Sequence, residues 1–402
     1  MTGQSLQFAS AVSTFPETKV AVEQTCQQIL DKLDGSVDLA FVFFSLDHAS
    51  NVAQLARDVA KKLGTANVLG CTGESIVGRG QEIEEGPAFS LWAASLPDVK
   101  LQTMQLQFER TADGSPISGW PEDLEDKWPD GSSLLMLGEP FTFPADVLLE
   151  RVNEEHAGVP VVGGMASGGH SPGMNRLVLG EQSFTEGAVA VLLSGDIELR
   201  TIVSQGCRPI GSHFIVTKAE RNIIFELGGK PALQQLQEIF DQLANREKAM
   251  VQEGLHIGQV VSEYQDTFEQ GDFLVRNVLG IEEDGSIVVG GYVRVGQTVQ
   301  FHIRDGESAD GELKQLLAAT RDDHSAEPLG GLLFTCNGRG TRLFSEPHHD
   351  ALAIQQTLGD LPLAGLFAQG EIGPVGGRNF VHGFTASIAL LQRKRQNEQV
   401  SN

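Results

Sequence analysis

Leu134-Leu135-Met136-Leu137, a helical stretch from Ala145 to Glu155, then Val159-Pro160-Val161-Val162 running into Gly163-Gly164-Met165-Ala166-Ser167-Gly168-Gly169: residues 134–169 decide the fold. A short apolar run bounded by turn signals reads as a buried strand. A second such run, reached through a helix, reads as a parallel βαβ crossover. The later apolar run Gly187–Leu193 supplies a closing strand.

The same plan recurs on both sides. Upstream, Leu39–Phe44 is an apolar run, and Asn51–Leu63 carries Val52, Leu55, Ala56, Val59, Ala60 and Leu63 on one helical stripe. Asn67-Val68-Leu69 then enters Gly70-Cys71-Thr72-Gly73-Glu74, and Ala88–Ala94 closes the unit. Phe41 to Gly70 and Leu134 to Gly163 are the same step of 29 residues. Downstream, Leu332–Thr335, a helix over Asp350–Leu358, Leu361–Ala364, the turn Gly365–Glu371 and Thr385–Leu390 repeat the order.

The interval between the second and third copies is close to twice that between the first two. This predicts a divergent fourth unit between about Cys207 and Gly306, with one crossover helix from Pro231 to Lys248. Arg276–Gly280 echoes Asn175–Gly180, and Val295–Phe301 echoes Glu186–Val191. The expected class is therefore α/β with an α+β tendency: repeated βαβ-plus-hairpin units and mixed sheets, arranged as two pseudo-symmetric halves. The halves are residues 1–206 and 207–402, with two units in each.

Composition narrows the function. The chain has 402 residues, enough for two domains, and a net charge of −24. That charge argues against nucleic acid and against an anionic membrane surface. No apolar stretch reaches the roughly 20 residues of a membrane helix, and MTGQSLQFAS does not read as a secretion signal. Cys26, Cys71, Cys207 and Cys336 are scattered, without CxxC or disulfide-framework spacing. A reducing cytoplasm is the expected location.

The recurrent glycine turns carry the functional signal. Each follows a strand, at the end where α/β sheets bind ligands. Glycines there let backbone N–H groups point at a carboxylate, while in the plainer reading they only satisfy tight turns. Cys71, Thr72, Glu74, Gly164, Ser167, Gly168 and Gly370 are the candidate contacts from these turns. Neither GxGxxG before a helix nor GxxxxGK[ST] occurs, so no nucleotide cofactor is expected.

Cys336-Asn337-Gly338-Arg339-Gly340 directly follows the expected strand Leu332–Thr335. Arg339 is placed to clamp a carboxylate with two parallel bonds and to lower a neighbouring thiol's pKa. In the plainer reading Cys336 is structural and Arg339 sits in a salt bridge. Glu74 and Glu371 both follow a turn glycine, in positions suited to an amine. His348-His349-Asp350 is dense in ligand types, but adjacent residues do not share a helix face, and no metal site is expected. His382, just before a closing strand, is the better pocket histidine.

GCTGES near position 70, FTCNGRG at 334–340 and GLFAQGEIGP at 365–374 resemble the signatures of FIST proteins, along nearly the whole chain and in the family's order. The resemblance implies a FIST N-terminal domain, a FIST C-terminal domain and a proposed role in sensing small ligands such as amino acids. It implies Cys336, Asn337, Arg339, Glu371 and His382 as ligand contacts, and output through a signalling partner protein. Two alternatives stay open: a protein-interaction scaffold without a ligand, as in F-box relatives, and an enzyme using Cys336 or Cys71.

Overall fold

A computed structural model describes residues 5–109, 116–124, 128–264, 267–268, 271–323 and 327–394. Residues 1–4, part of the stretch read for a secretion signal, lie outside that set. Among the described residues there are seven α-helices and four sheets. The chain forms two compact units, one of residues 1–203, 314–381 and 386–402, the other of residues 204–313 and 382–385.

The first unit is built from the three copies. In the first sheet the strand order is Gln7–Ser13, Phe89–Ser95, Leu39–Phe44, Val68–Thr72, then the hairpin of Leu177–Leu179 and Gln182–Phe184. The second has Val99–Phe108, Ala188–Gly195, Ser133–Gly138, Val161–Met165, then Glu371–Val375 and Arg378–His382, with the short Ile117–Ser118 beyond Val99–Phe108. The third has Glu198–Gln205, Thr385–Gln392, Gly330–Cys336, Leu363–Ala368, then Ile76–Gly78 and Gln81–Ile83.

Each sheet thus has its own four strands in the same order, with the two crossover strands parallel, and ends in a hairpin from another copy. The first copy's hairpin joins the third sheet, pairing Ile76 with Leu366. The second copy's hairpin joins the first sheet, pairing Leu177 with Cys71. The third copy's hairpin joins the second sheet, pairing Glu371 with Gly164. The exchange closes a ring of three.

The inner faces of these sheets share one apolar core. Phe41, Phe43 and Trp92 come from the first, Leu135, Leu137 and Val191 from the second, and Leu332, Phe334 and Leu366 from the third. Phe43 meets Phe334 edge-on at 6.1 Å between centroids. On the opposite face of the first sheet, helices Thr18–Leu30 and Val52–Leu63 bury Ala40, Val42 and Phe44. Helix Ala145–Glu155 does the same for the second sheet, through Leu148, Leu149 and Val152. Strands buried on both faces explain the continuous apolar runs.

The second unit differs from the expected fourth copy. Its strands Cys207–Glu220, Thr298–Arg304, Leu255–Val260, Phe273–Ile281, Ile287–Val289 and Ile223–Leu227 pair in that order, and the last pairs back with the first. Every one of these pairs is antiparallel, so the six strands close a barrel. The expected crossover helix is two helices, Ala232–Gln242 and Asn245–Glu253. The reason is patterning: Cys207–Glu220 buries only Cys207, Ile210 and Val216 and leaves its other positions partly or fully exposed, which suits a sheet with one wet face. The architecture is a three-copy ring plus a barrel, in place of two halves of two copies.

Three glycines fix the close approach of the crossover strands. A Cβ at Gly163 would lie 1.8 Å from the Met136 carbonyl oxygen, one at Gly365 1.8 Å from that of Leu333, and one at Gly70 2.2 Å from that of Val42. These first glycines of each motif therefore sit inside strands, not in the turns. Gly163→Ala should lower the unfolding free energy by about 3 kcal/mol in urea titration. Gly158→Ala, at φ +85° with nothing within 4 Å, should cost about 1 kcal/mol. Equal losses would contradict the close-approach account.

Candidate functional site

Where each copy hands its hairpin to the next sheet, the chain turns a corner: Thr72–Ser75, Met165–Gly169 and Phe367–Glu371. The three corners meet. Ser167 N–H donates to the Thr72 carbonyl at 3.0 Å, Phe367 N–H to the Ser75 carbonyl at 2.9 Å, and Met165 N–H to the Gly370 carbonyl at 2.8 Å. The buried Ser167 hydroxyl accepts from Glu74 N–H at 2.7 Å and donates to the Phe367 carbonyl, so one side chain touches all three corners.

Below this junction a buried polar chain holds the second corner. Asn175 Oδ1 accepts from Gly169 N–H at 3.0 Å and from the Thr72 hydroxyl at 3.3 Å. Its Nδ2 donates to Glu139 at 3.1 Å, and Glu139 in turn accepts from Phe141 N–H and the Thr142 hydroxyl. Thr72, Asn175 and Glu139 are fully buried, and each is hydrogen-bonded within the protein, as burial requires.

The CNGRG segment flanks the junction. Asn337 N–H donates to the Ala368 carbonyl at 3.1 Å, and Cys336 Sγ, half-buried, accepts from Gly338 N–H at 3.4 Å. Arg339 turns inward. Its Nε and Nη2 donate to the two oxygens of Asp350 at 2.7 and 2.8 Å, and both side chains are 1% exposed. The two-bond fork expected to hold a ligand carboxylate is thus engaged by the protein's own. Burial opposes the Arg339 charge, but the charge and hydrogen bonds of Asp350 outweigh it and raise the pKa. Burial likewise opposes the Asp350 carboxylate, and Arg339 with its bonds still holds it well below its ordinary range. The Thr335 hydroxyl adds a bond to Asp350 at 2.7 Å, and Phe344 contacts both the Arg339 guanidinium and the His349 ring.

A cation that does face outward is Arg342, three residues on. It pairs with Glu74 and donates from Nη1 to the Asn337 carbonyl at 2.8 Å, with 58% of its side chain exposed against 30% for Glu74. Nothing in the sequence reading singled it out, although the spacing CNGRGTR contained both arginines. Glu82 was also missed. It lies on the exchanged hairpin, buried, and accepts from Ala351 N–H at 2.9 Å in the first turn of helix His349–Leu358. Burial, then the neighbouring Asp350 and Glu84 charges, raise its pKa from 4.5 to about 8, against the opposing Ala351 bond and Arg339.

The remaining candidates divide. Glu74, Gly168, Gly370, Cys336 and Asn337 are partly exposed around the junction, and Thr72 and Ser167 are buried within it. Gly164 and Glu371 face each other across a strand pair, with Glu371 fully buried. Cys71 is fully buried in the central core, and burial pushes its thiol far above the ordinary range, opposite to what a nucleophile needs. His382 is buried and belongs to the second unit. Among the described residues no group of three or more His, Cys, Asp or Glu side chains could hold a metal ion, and no helix is long and apolar enough to cross a membrane.

Three hairpin-exchanging sheets, a barrel unit and a polar junction of corners define an α/β protein built on internal repetition. The chain belongs to the FIST family, a proposed sensory module: the FIST N domain matches residues 38–230 and the FIST C domain residues 232–374. It is 41% identical over 388 residues to uncharacterized proteins of Mycobacterium tuberculosis and of Mycobacterium bovis, spanning 96% of this chain and 100% and 99% of theirs. An F-box/LRR-repeat protein of Arabidopsis thaliana is 28% identical over 100 residues, 24% of this chain and 19% of its own.

Two outcomes follow from the site. Arg339→Ala strands a buried carboxylate and should lower stability by about 3–5 kcal/mol in urea titration, whereas Arg342→Ala should cost under about 1 kcal/mol. Glu82 holds its proton in the folded state at pH values where the unfolded chain has lost it. Stability from this group is therefore complete below about pH 4.5 and falls as pH rises toward about 8. Glu82→Gln should melt with wild type at pH 4.5 and above it at pH 9, and identical melting at both would remove the buried-carboxyl account.

Proposed function

We propose that this protein is a sensory module that binds a small zwitterionic ligand, an amino acid or similar carboxylate, at the corner junction and acts through a partner protein. The observation that carries the reading is the Arg342–Glu74 pair, seated where the three corners converge and only partly buried. An ion pair this exposed is worth about 0–1 kcal/mol, so a ligand that bridges it gives up little. Its carboxylate would face Arg342 and its ammonium Glu74.

In this reading Cys336 and Asn337 form the rim, Gly168 and Gly370 leave it open, and Arg339 acts as a buried support, not as the clamp. The junction joins segments from all three copies, so a ligand there senses and reinforces the whole ring. Bound ligand stabilises the folded state by mass action, and the change in stability is the signal offered to the partner. Family membership supports the sensory part of the proposal.

Isothermal titration of the full chain against the common L-amino acids tests it. At least one should bind, with affinity falling about tenfold or more in both Arg342→Ala and Glu74→Gln while melting temperatures stay close to wild type. Binding unaffected by either substitution would move the site elsewhere, and silence across the panel would leave the amino-acid reading without support.

A further inference from the structure

Asn337-Gly338 is the only Asn-Gly pair in the sequence. The two residues form the turn that follows strand Gly330–Cys336, and both are half-buried. An asparagine is open to attack at its own side-chain carbon, Cγ, by the backbone nitrogen of the next residue. Glycine in that next place leaves the approach free of a Cβ. The attacking species is the deprotonated nitrogen, an amidate, and resonance in the peptide unit puts much of its charge on the Asn337 carbonyl oxygen.

Three contacts bear on that step. Arg342 Nη1 donates to the Asn337 carbonyl oxygen at 2.8 Å, so a guanidinium already faces the atom on which charge develops. A donor placed there stabilises the charged form more than the neutral one. The Gly338 N–H donates to Cys336 Sγ at 3.4 Å, and sulfur, a weak acceptor, holds that proton less firmly than a carbonyl would. The Asn337 N–H donates to the Ala368 carbonyl at 3.1 Å and anchors the backbone of the pair. Its side-chain Oδ1 has no hydrogen-bond partner among the described residues, so no bond of that oxygen has to break as Cγ turns.

We propose that Asn337 is a self-modifying site: the Gly338 nitrogen displaces ammonia from the Asn337 side chain, and Arg342 speeds the step through the carbonyl it holds. The Gly338 nitrogen gives its proton to hydroxide and bonds to Cγ. The Cγ–Nδ2 bond breaks, and Nδ2 leaves as ammonia with a proton from water. The succinimide ring so formed takes up water at either of its two carbonyls. One product has aspartate at position 337, the other an isoaspartate whose backbone runs through the former side chain. Nothing is oxidised or reduced, and the sum is one water in and one ammonia out. A neutral amide becomes a carboxylate on the residue that Arg342 holds, which adds an anion beside the Arg342–Glu74 pair. The change is slow and irreversible, and it needs no ligand at the junction.

Peptide mass spectrometry reads the conversion directly. The full chain is aged, folded, at mildly alkaline pH in heavy-oxygen water, so that the label marks conversions that precede digestion. Asn337 should convert before any other asparagine, with isoaspartate among the products. Arg342→Ala should slow conversion about tenfold, the low end of what one hydrogen bond to a charged group commands. With 58% of its side chain exposed, Arg342 can be truncated without loss of the fold. In urea the two chains should convert at the same rate, because the Arg342 contact exists only in the folded state. Gly338→Ala, which returns a Cβ to the approach, should also slow the folded chain. An intact Asn337 while other asparagines convert, a wild-type rate in folded Arg342→Ala, or the same tenfold gap in urea would overturn the proposal.

Discussion

The structure depends on one unmet need repeated three times. In each copy the second crossover strand has a neighbour on one side and an open row of backbone donors and acceptors on the other. Its own hairpin does not turn back to cover that edge but crosses to the next sheet. An open edge is a liability for stability and for solubility alike. Here all three are closed only if all three copies fold, and the common core around Phe43, Leu137 and Phe334 imposes the same condition. Cooperativity of the first unit follows from connectivity, before any particular contact is considered.

The crossing also determines where polar chemistry collects. Three chains leaving three sheets at one place bring many backbone amides together, and the Ser167 hydroxyl, Asn175 and Glu139 settle most of that demand internally. What is left for solvent is a narrow set of partly exposed groups around Glu74, Cys336, Asn337 and Arg342. The neighbouring Arg339–Asp350 pair, fully buried, gives that rim a rigid base. Charge at this site is thus divided between a fixed interior pair and an exchangeable surface pair.

Much of the first unit was legible because its strands are buried on both faces. Leu39–Phe44 and Ala145–Glu155 have the extents their apolar patterns predict. Gly70 and Gly163 are true structural equivalents, but the register matches Phe41 with Leu135, so the matched 29-residue step starts one residue out, on the other face of the sheet. The exchange was not legible, because Ile76-Val77-Gly78 presents the same pattern whichever sheet edge it joins. The glycines were half legible: recurrence was visible, but only the Met136 and Leu333 carbonyls reveal that Gly163 and Gly365 are strand positions. The barrel was misread from a matching interval length, since spacing alone does not distinguish a crossover unit from an antiparallel ring. Arg339 and Arg342 differ in depth, and three residues of separation in sequence carry no information on depth.

Native-state hydrogen exchange tests the ring most directly. The amides of Met165, Ser167, Phe367 and Gln369 bond across corners, to Gly370, Thr72, Ser75 and Met165 in turn. If the three copies are interlocked, these amides exchange only through global unfolding, at the rate of core amides in Leu134–Leu137. Exchange at the corners that is much faster than in that core strand would mean the copies open independently, and the interlock would be refuted.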